Sequence, residues 1–297
     1  MEPRILFQTL RKQFPDSLHV QKDVQNAVQK IRATLMDGKT PMQALESLLH
    51  DHRFIDNRQE PKTDVVTEIF FVLPYSITMW RAFPHVMLID ATYKRNLYNM
   101  PFVQVVGMMS TGKSFCIAHA VICKERRGNY MWVLERIKSI LHEYYKEMFV
   151  YAWTDKCRNF GQRTTNRVES QHANLKRYVT RGSSLERIAR CVIDIVETQY
   201  DEIQKSFTES IEKTMNHHRH PLLDNLRGNV SHEALDLLAK ELMRKLEVLR
   251  KLNASCGCHM WLRCGLPFAW RLENYKRTGR MIQLDDIDVF QRTREVK

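Results

Sequence analysis

Residues 107–114, which read GMMSTGKS, match the phosphate-binding pattern Gly-x-x-x-x-Gly-Lys-Ser/Thr letter for letter. A working phosphate-binding loop follows a strand and precedes a helix, whose N-terminal N–H groups hold the phosphate. Here residues 115–123 (FCIAHAVIC) are apolar, compatible with a strand, and carry no helix cap. We therefore interpret Thr111-Gly112-Lys113 as a hairpin turn and predict that the protein does not bind ATP.

Side chains that bind metals are concentrated towards the C-terminus. Of the seven cysteines, Cys256 and Cys258 are closely spaced and Cys264 follows, which indicates a candidate metal knuckle. The isolated cysteines are typical of reduced intracellular thiols. The run 216–220 (NHHRH) also offers imidazoles, but it lies where a helix is predicted to end. Histidines there commonly interact with the helix dipole or are simply exposed.

Two acids occupy positions that allow either chemistry or a local structural role. Asp90 ends the apolar run 85–90 (HVMLID), which is typical of a strand buried on both faces. An aspartate at a strand end commonly serves a turn. Glu169 follows Asn166 by three residues, a spacing that can form a capping box where a helix begins.

The charge of the chain favours polyanionic partners. Its net charge is +12 and its sequence pI is near 9.4. Each phosphate that a cation neutralises releases counterions, although a basic surface can also serve solubility alone. Between residues 156 and 181 the only acid is Glu169, and either phosphate contacts or a solvated helix face would explain this segment. The candidate DNA-binding residues are Lys156, Arg158, Arg163, Arg167, Lys176, Arg177 and Arg181.

The periodicity of the apolar residues predicts the elements that must position these groups. We predict helices within residues 1–50 and a hairpin over 53–72. The centre is a meander of three strands followed by a helix, predicted over 85–90, 102–109, 115–123 and 129–142. Further helices are predicted over 166–179, 185–215 and 231–252. We find no apolar run of about 20 residues and no secretory leader, so we expect an intracellular, soluble protein without a membrane partner.

The segment 88–107, LIDATYKRNLYNMPFVQVVG, resembles the opening signature of the Mutator-like (MULE) transposase domain, close to the plant far-red-impaired-response branch. Residues 152–179, AWTDKCRNFGQRTTNRVESQHANLKRYV, resemble the late acidic helix of that family. CGCHMWLRCGLPFA followed by MIQLDDID resembles its C-terminal SWIM-type zinc knuckle. The flanking segments that agree in order are TPMQALESLL, SITMWRAFPHVML, STGKSFCIAHAV and NYMWVLERIKS.

The resemblance implies an RNase H-like fold with a mixed sheet of five strands and three acids that hold two divalent metals, Mg²⁺ or Mn²⁺. The first acid corresponds to Asp90 and the third to Glu169. The second should end a fourth strand, but Leu141 is followed by HEYYKEMFVYAWTDK, without a strand-terminal aspartate before Trp153. We interpret this as an internal deletion. Two acids cannot hold paired metals, so we expect no catalysis, and the first strand is left as an open sheet edge.

The knuckle lacks part of the ligand set that the resemblance to a SWIM site implies. A SWIM site resembles Cys-x-Cys followed by Cys-x-His around tetrahedral zinc. Cys256 and Cys258 preserve the first pair, whereas Phe268 and Trp270 stand where the second pair is expected. Cys264 or His259 would substitute only after the loop rearranged, so we expect no stoichiometric zinc in the purified protein.

The sequence therefore predicts an α+β protein with an incomplete RNase H-like core, flanking helices and a degenerate SWIM-like knuckle. The predicted regions are 1–84 (helices and hairpin), 85–181 (truncated transposase core), 182–252 (helices) and 253–297 (knuckle).

The leading hypothesis for function is an inactive, transposase-derived protein of the nucleus that associates with DNA or regulates transcription. One alternative is an active transposase with an unrecognised second acid. The other is an interaction fragment that pairs its exposed edge with intact relatives.

Overall fold

The fold combines α-helices with one antiparallel sheet. The computed structural model describes residues 3–15, 19–36, 38–50, 54–59, 65–92, 96–140, 160, 166–244 and 258–292. The strands are β1 (Phe54–Gln59), β2 (Val66–Val72), β3 (Met87–Thr92), β4 (Phe102–Met108) and β5 (Ser114–Val121). The helices before the last strand are α1 (Pro3–Gln13), α2 (Gln21–Met36), α3 (Pro41–His50) and α4 (Pro74–Ala82). Those after it are α5 (Arg127–Ile140), α6 (Asn166–Lys176), α7 (Leu185–Glu212), α8 (His232–Leu242), α9 (Cys258–Cys264) and α10 (Ala269–Thr278).

The five strands lie in the order β1-β2-β5-β4-β3, and all neighbours are antiparallel. The predicted meander followed by a helix is confirmed as β3, β4, β5 and α5, and the predicted hairpin as β1 and β2. The sheet is nevertheless larger than predicted, because β2 pairs with β5 and places Phe70 opposite Ala120. Regions 1–84 and 85–181 therefore share one sheet. The interval 141–159, where the family's further strands would lie, is outside the described residues.

Strand β3 differs from the strand that its apolar run predicts. Every residue of β4 is buried, whereas Met87 to Ala91 of β3 are only half-buried and Thr92 alone is buried. The prediction of burial on both faces was wrong because β3 is the outer strand and pairs with β4 alone within the described sheet. Among the described strands β3 lies at the edge of the sheet, and the predicted open edge stays a prediction.

Two apolar clusters hold the described residues together. The larger one surrounds the sheet, and the smaller one joins the region around α8 and α10, with Leu223, Leu235, Leu272 and Ile282 among its members. Helix α7 belongs to the larger cluster, since its buried stripe faces the sheet core, and so the sheet core extends past the predicted boundary at residue 181. The stripe consists of Ile188, Val192, Val196, Ile203 and Phe207. Among the described helices, none is both long and apolar enough to cross a bilayer.

Candidate functional site

Asp90 lies in a row of side chains that crosses the sheet. It stands opposite Gln104 on β4, and Gln104 stands opposite His119 on β5. Directly opposed residues of antiparallel strands project from the same face, so these three side chains share a face. Helix α6 packs against β3 and β4, and its buried residues Val168, His172 and Leu175 recur at helical spacing.

Both predicted acids act on one imidazole of α6. The Nδ1 atom of buried His172 lies 3.7 Å from Oδ2 of Asp90, whose side chain is 39% exposed. This distance is too long for a hydrogen bond, so the interaction is electrostatic. Burial lowers the pKa of His172, while the charges of Asp90 and Glu169 raise it and that of Lys176 lowers it further. The ring therefore stays neutral near pH 7, and its buried Nε2 atom has no hydrogen-bond partner among the described residues.

The two acids do not form a metal-binding set with other described residues. Among the described residues, three side chains that can bind a metal come together after α7 in sequence: His217, His218 and Asp236. Their ligand atoms all lie within 4.8 Å of one another. Asp90 and Glu169 are not in it, and Asp155 is outside the described residues. Two-metal chemistry requires carboxylates that converge on both ions, which this pair alone does not provide.

Helix α6 is fixed to the sheet by buried polar groups that the sequence did not reveal. The Gln199 Oε1 atom of α7 accepts a hydrogen bond from the backbone N–H of Cys116 at 3.1 Å, and its Nε2 donates to Gln171 Oε1 at 2.6 Å. Burial raises the pKa of the Cys116 thiol to about 12 and lowers the pKa of His119 to about 3, so both are neutral at pH 7. The available signal was a polar residue inside an apolar stripe, as at Gln199.

Arg167 contacts the turn that joins β4 to β5. Its guanidinium donates to the carbonyl oxygen of Gly112 at 2.7 Å and to Ser114 Oγ at 2.9 Å. Burial lowers its pKa, and the nearby charge of Glu233 raises it. Of the predicted DNA-binding cations, this one is therefore engaged within the protein.

Other predicted DNA-binding cations lie exposed at the end of α6. Lys176, Arg177 and Arg181 are exposed, and the intervening Tyr178 is 52% exposed. The N–H of Leu97 donates to the carbonyl oxygen of Ser183 at 3.0 Å and thereby brings the loop between β3 and β4 alongside. We call residues 176–181 the basic turn. Lys156, Arg158 and Arg163 lie outside the described residues.

The segment GMMSTGKS forms a hairpin turn. Gly112 has a φ of +75°, and its N–H donates to the carbonyl oxygen of Met109 at 3.1 Å. The Met109 N–H in turn donates to the carbonyl oxygen of Lys113 at 2.9 Å, and β5 begins at Ser114. The predicted hairpin is confirmed, and a strand occupies the place where a phosphate-binding loop needs a helix N-terminus.

The described part of the predicted knuckle region contains the helices α9 and α10. Cys258 begins α9, although its side chain, like all of Cys256, lies outside the described part of the chain. Burial raises the pKa of the Cys264 thiol, which opposes the thiolate that zinc requires. Phe268 precedes α10 as its N-cap residue, and Trp270 is an exposed residue of that helix.

The histidine run is less exposed than predicted. His218 is fully buried, because the turn at 216–218 packs against α8, and so the prediction of simply exposed histidines was wrong for this residue. His217 is exposed.

Comparison with known proteins supports a MULE-type protein of transposase origin. Residues 86–172 match the family model of the MULE transposase domain, a range that includes Asp90, Glu169 and His172. The chain is also 25% identical over 153 residues to a protein named PKS-NRPS hybrid synthetase cheA from Chaetomium globosum. That match covers 50% of this chain but 3% of the synthetase. No solved structure matches the chain significantly.

Proposed function

We propose that this transposase-derived chain is catalytically inactive and associates with DNA through the basic turn. The observation that carries the proposal is the surroundings of Asp90. The described side chain that faces its carboxylate is the neutral imidazole of His172, whereas a third carboxylate would be needed to share metal ions with Asp90 and Glu169. The deletion inferred from the sequence removes the strand that should carry that acid.

Inactivity is tested with DNA cleavage. The full chain is incubated with supercoiled plasmid and with pre-nicked transposon-like ends, in Mg²⁺ and in Mn²⁺. We expect no nicking and no strand transfer, and the same result for Asp90→Asn. Metal-dependent nicking that disappears in both Asp90→Asn and Glu169→Gln would refute the proposal and support an active transposase with an unrecognised second acid.

The basic turn has the chemistry of a non-specific DNA contact. Lys176, Arg177 and Arg181 are exposed, and the exposed ring of Tyr178 lies between them in sequence. Cations contact phosphates regardless of base sequence, and an exposed aromatic ring can stack on an unpaired base. We therefore propose weak binding with little sequence preference, typically at about 10⁻⁴ to 10⁻⁶ M at physiological salt.

This binding is tested by fluorescence anisotropy with a labelled duplex over a series of salt concentrations. The double variant Lys176→Ala/Arg177→Ala should reduce the slope of log K against log salt by about one for each phosphate that the protein no longer neutralises. The matched control is Lys240→Ala/Arg277→Ala, which removes the same charge from exposed positions on α8 and α10. An equal reduction in both variants would mean that net charge alone drives binding.

The proposed location is the nucleus, with transcription regulation as the proposed outcome of DNA association. This part of the proposal rests on the resemblance to the far-red-impaired-response branch. Imaging of the full chain fused to a fluorescent protein tests it, and exclusion of the fusion from the nucleus would contradict it.

The outer position of β3 favours a second candidate function, pairing with a strand of an intact relative. Outer strands offer unpaired backbone groups, and β3 is half-buried rather than covered. Sedimentation with an intact relative tests the candidate. A complex that forms in high salt and without DNA would favour it over DNA association.

A further inference from the structure

The connection between α7 and α8 brings together three side chains that can bind a metal. Helix α7 ends at Glu212, and residues 216–218 form a single 3₁₀ turn that packs against α8. His217 and His218 belong to this turn, and Asp236 lies one helical turn inside α8. The MULE family match ends at residue 172, so this cluster lies outside it.

The two imidazoles converge on one carboxylate oxygen. The Nε2 atoms of His217 and of His218 each lie 2.6 Å from Oδ1 of Asp236. The two ring centroids are 4.2 Å apart with an interplanar angle of 66°. The three ligand atoms therefore lie within 4.8 Å of one another, although the histidines are adjacent in sequence.

Burial differs among the three ligands in a way that suits a site with one open side. The side chain of His218 is 0% exposed, whereas those of His217 and Asp236 are 51% and 38% exposed. His218 thus forms the buried side of the cluster. His217 and Asp236 form its solvent-exposed side, from which an ion can enter.

The charge states also suit metal binding, which requires neutral imidazoles and an ionised carboxylate. Burial lowers the pKa of His218 below its usual value. Burial raises the pKa of Asp236, but the hydrogen bonds from His217 and His218 have the larger combined effect. The pKa of Asp236 is therefore lowered. At neutral pH Asp236 is therefore ionised and the His218 ring is neutral.

We propose that His217, His218 and Asp236 bind one divalent transition-metal ion, with Zn²⁺ as the chemically favoured ion. Two imidazole nitrogens and one carboxylate oxygen are a ligand set that zinc accepts, and imidazole suits zinc better than Mg²⁺ or Ca²⁺. Water completes the tetrahedron on the solvent side. The ion joins the 216–218 turn to α8, and so it stabilises the contact between the turn and the helix.

Binding requires small movements of the more exposed ligands. Tetrahedral zinc with bonds of about 2.0 Å separates its ligand atoms by about 3.3 Å, whereas the present nitrogen–oxygen distances are 2.6 Å, so Asp236 must withdraw by about 0.7 Å. Each imidazole proton must also move from Nε2 to Nδ1. For His218 this places the proton on a buried Nδ1 that has no acceptor among the described residues, which is a cost that metal coordination must exceed.

His232 supports the site without being one of the three ligands. It lies four residues before Asp236 on α8, and its ring centroid is 5.3 Å from that of His218. Its Nε2 atom is hydrogen-bonded to the carbonyl oxygen of Lys213 at 2.8 Å, which holds the ring against the end of α7.

The test uses the untagged full chain with Cys256→Ser and Cys258→Ser, so that the predicted knuckle cannot contribute thiolates. Zinc is titrated by calorimetry after chelator treatment, and Co²⁺ is used as a spectroscopic probe of the ligands. We expect one ion per chain, a rise in melting temperature with zinc, and a Co²⁺ spectrum without a thiolate charge-transfer band.

The decisive variant is Asp236→Asn, which keeps a hydrogen-bond acceptor for the histidines but removes the anionic ligand. It should weaken zinc binding at least about tenfold, as should His217→Ala at an exposed position. The control His220→Asn removes a neighbouring imidazole yet retains an acceptor for the N–H of Leu222, and it should leave affinity unchanged. Circular dichroism verifies that each variant is folded.

Two results would overturn the proposal. The first is the absence of saturable zinc binding by the parent protein. The second is equal affinity in Asp236→Asn, since the cluster would then be a hydrogen-bonded group only.

Discussion

Arg167 is a predicted DNA-binding residue whose side chain instead forms hydrogen bonds within the protein. Its sequence neighbours suggest a phosphate contact, but its guanidinium binds Gly112 and Ser114. Arg167→Ala should therefore lower the free energy of unfolding by about 1–3 kcal/mol, because the carbonyl oxygen of Gly112 loses a charged donor. Urea unfolding measures this decrease.

Exposed Lys176 provides the comparison for that experiment. Lys176→Ala should change the free energy of unfolding by no more than about 0.5 kcal/mol while it weakens DNA binding. If Arg167→Ala instead left stability intact and reduced the salt slope of DNA binding, the assignment of Arg167 to the DNA surface would be restored.

At the scale of the element, the β4–β5 turn depends on the backbone conformation of Gly112 more than on the side chain of Lys113. Gly112→Ala should destabilise the protein by about 1 kcal/mol, since its φ of +75° is unfavourable for alanine, whereas the added methyl group meets Glu233 only at an ordinary 3.5 Å. Lys113→Ala should stay within about 0.5 kcal/mol, because its ion pair with Glu202 is exposed. Thermal unfolding of both variants measures the difference.

The same turn predicts the outcome of an ATP titration. Calorimetry should show no saturable heat, because β5 follows the turn in the place where a phosphate-binding loop requires a helix N-terminus. Micromolar ATP affinity that Lys113→Ala abolishes would contradict this prediction.

For the whole molecule, buried neutral histidines predict a decrease of stability in acid. Burial lowers the pKa of His119 to about 3 in the folded protein. In the unfolded chain this imidazole binds a proton near about pH 6.5, whereas in the folded protein it remains neutral at that pH. This stability is fully present above about pH 6.5 and is lost as the pH falls towards 3, at about 1.4 kcal/mol per pH unit for one proton. The lowered pKa values of His172 and His218 act in the same direction.

His119→Phe isolates one proton of this dependence. His119 stacks on Phe71 and Phe102 with ring centroids 5.2 and 5.7 Å away, so a phenyl ring can replace it. Urea unfolding between about pH 6.5 and pH 4 should show a slope that is smaller by about 1.4 kcal/mol per pH unit. His50→Gln, at an exposed position, controls for the removal of an imidazole, and an unchanged slope in His119→Phe would contradict the assignment.

Local patterns were sufficient for the order of the central elements. The apolar runs of β3, β4 and β5 and the helical spacing of α5 depend on neighbours in sequence, and so does the glycine turn at Gly112. Asp90 and Glu169 could also be identified as candidate site residues, because the family resemblance likewise depends on short segments of sequence.

Tertiary structure alone decided which of these residues meet. Pairing of the β1–β2 hairpin with β5 enlarged the sheet, and the outer position left β3 half-buried despite its apolar run. The convergence of His218 with Asp236, and of His172 with Asp90, joins residues of different elements. Such contacts depend on how elements that are distant in sequence pack together, which periodicity within a single segment does not specify.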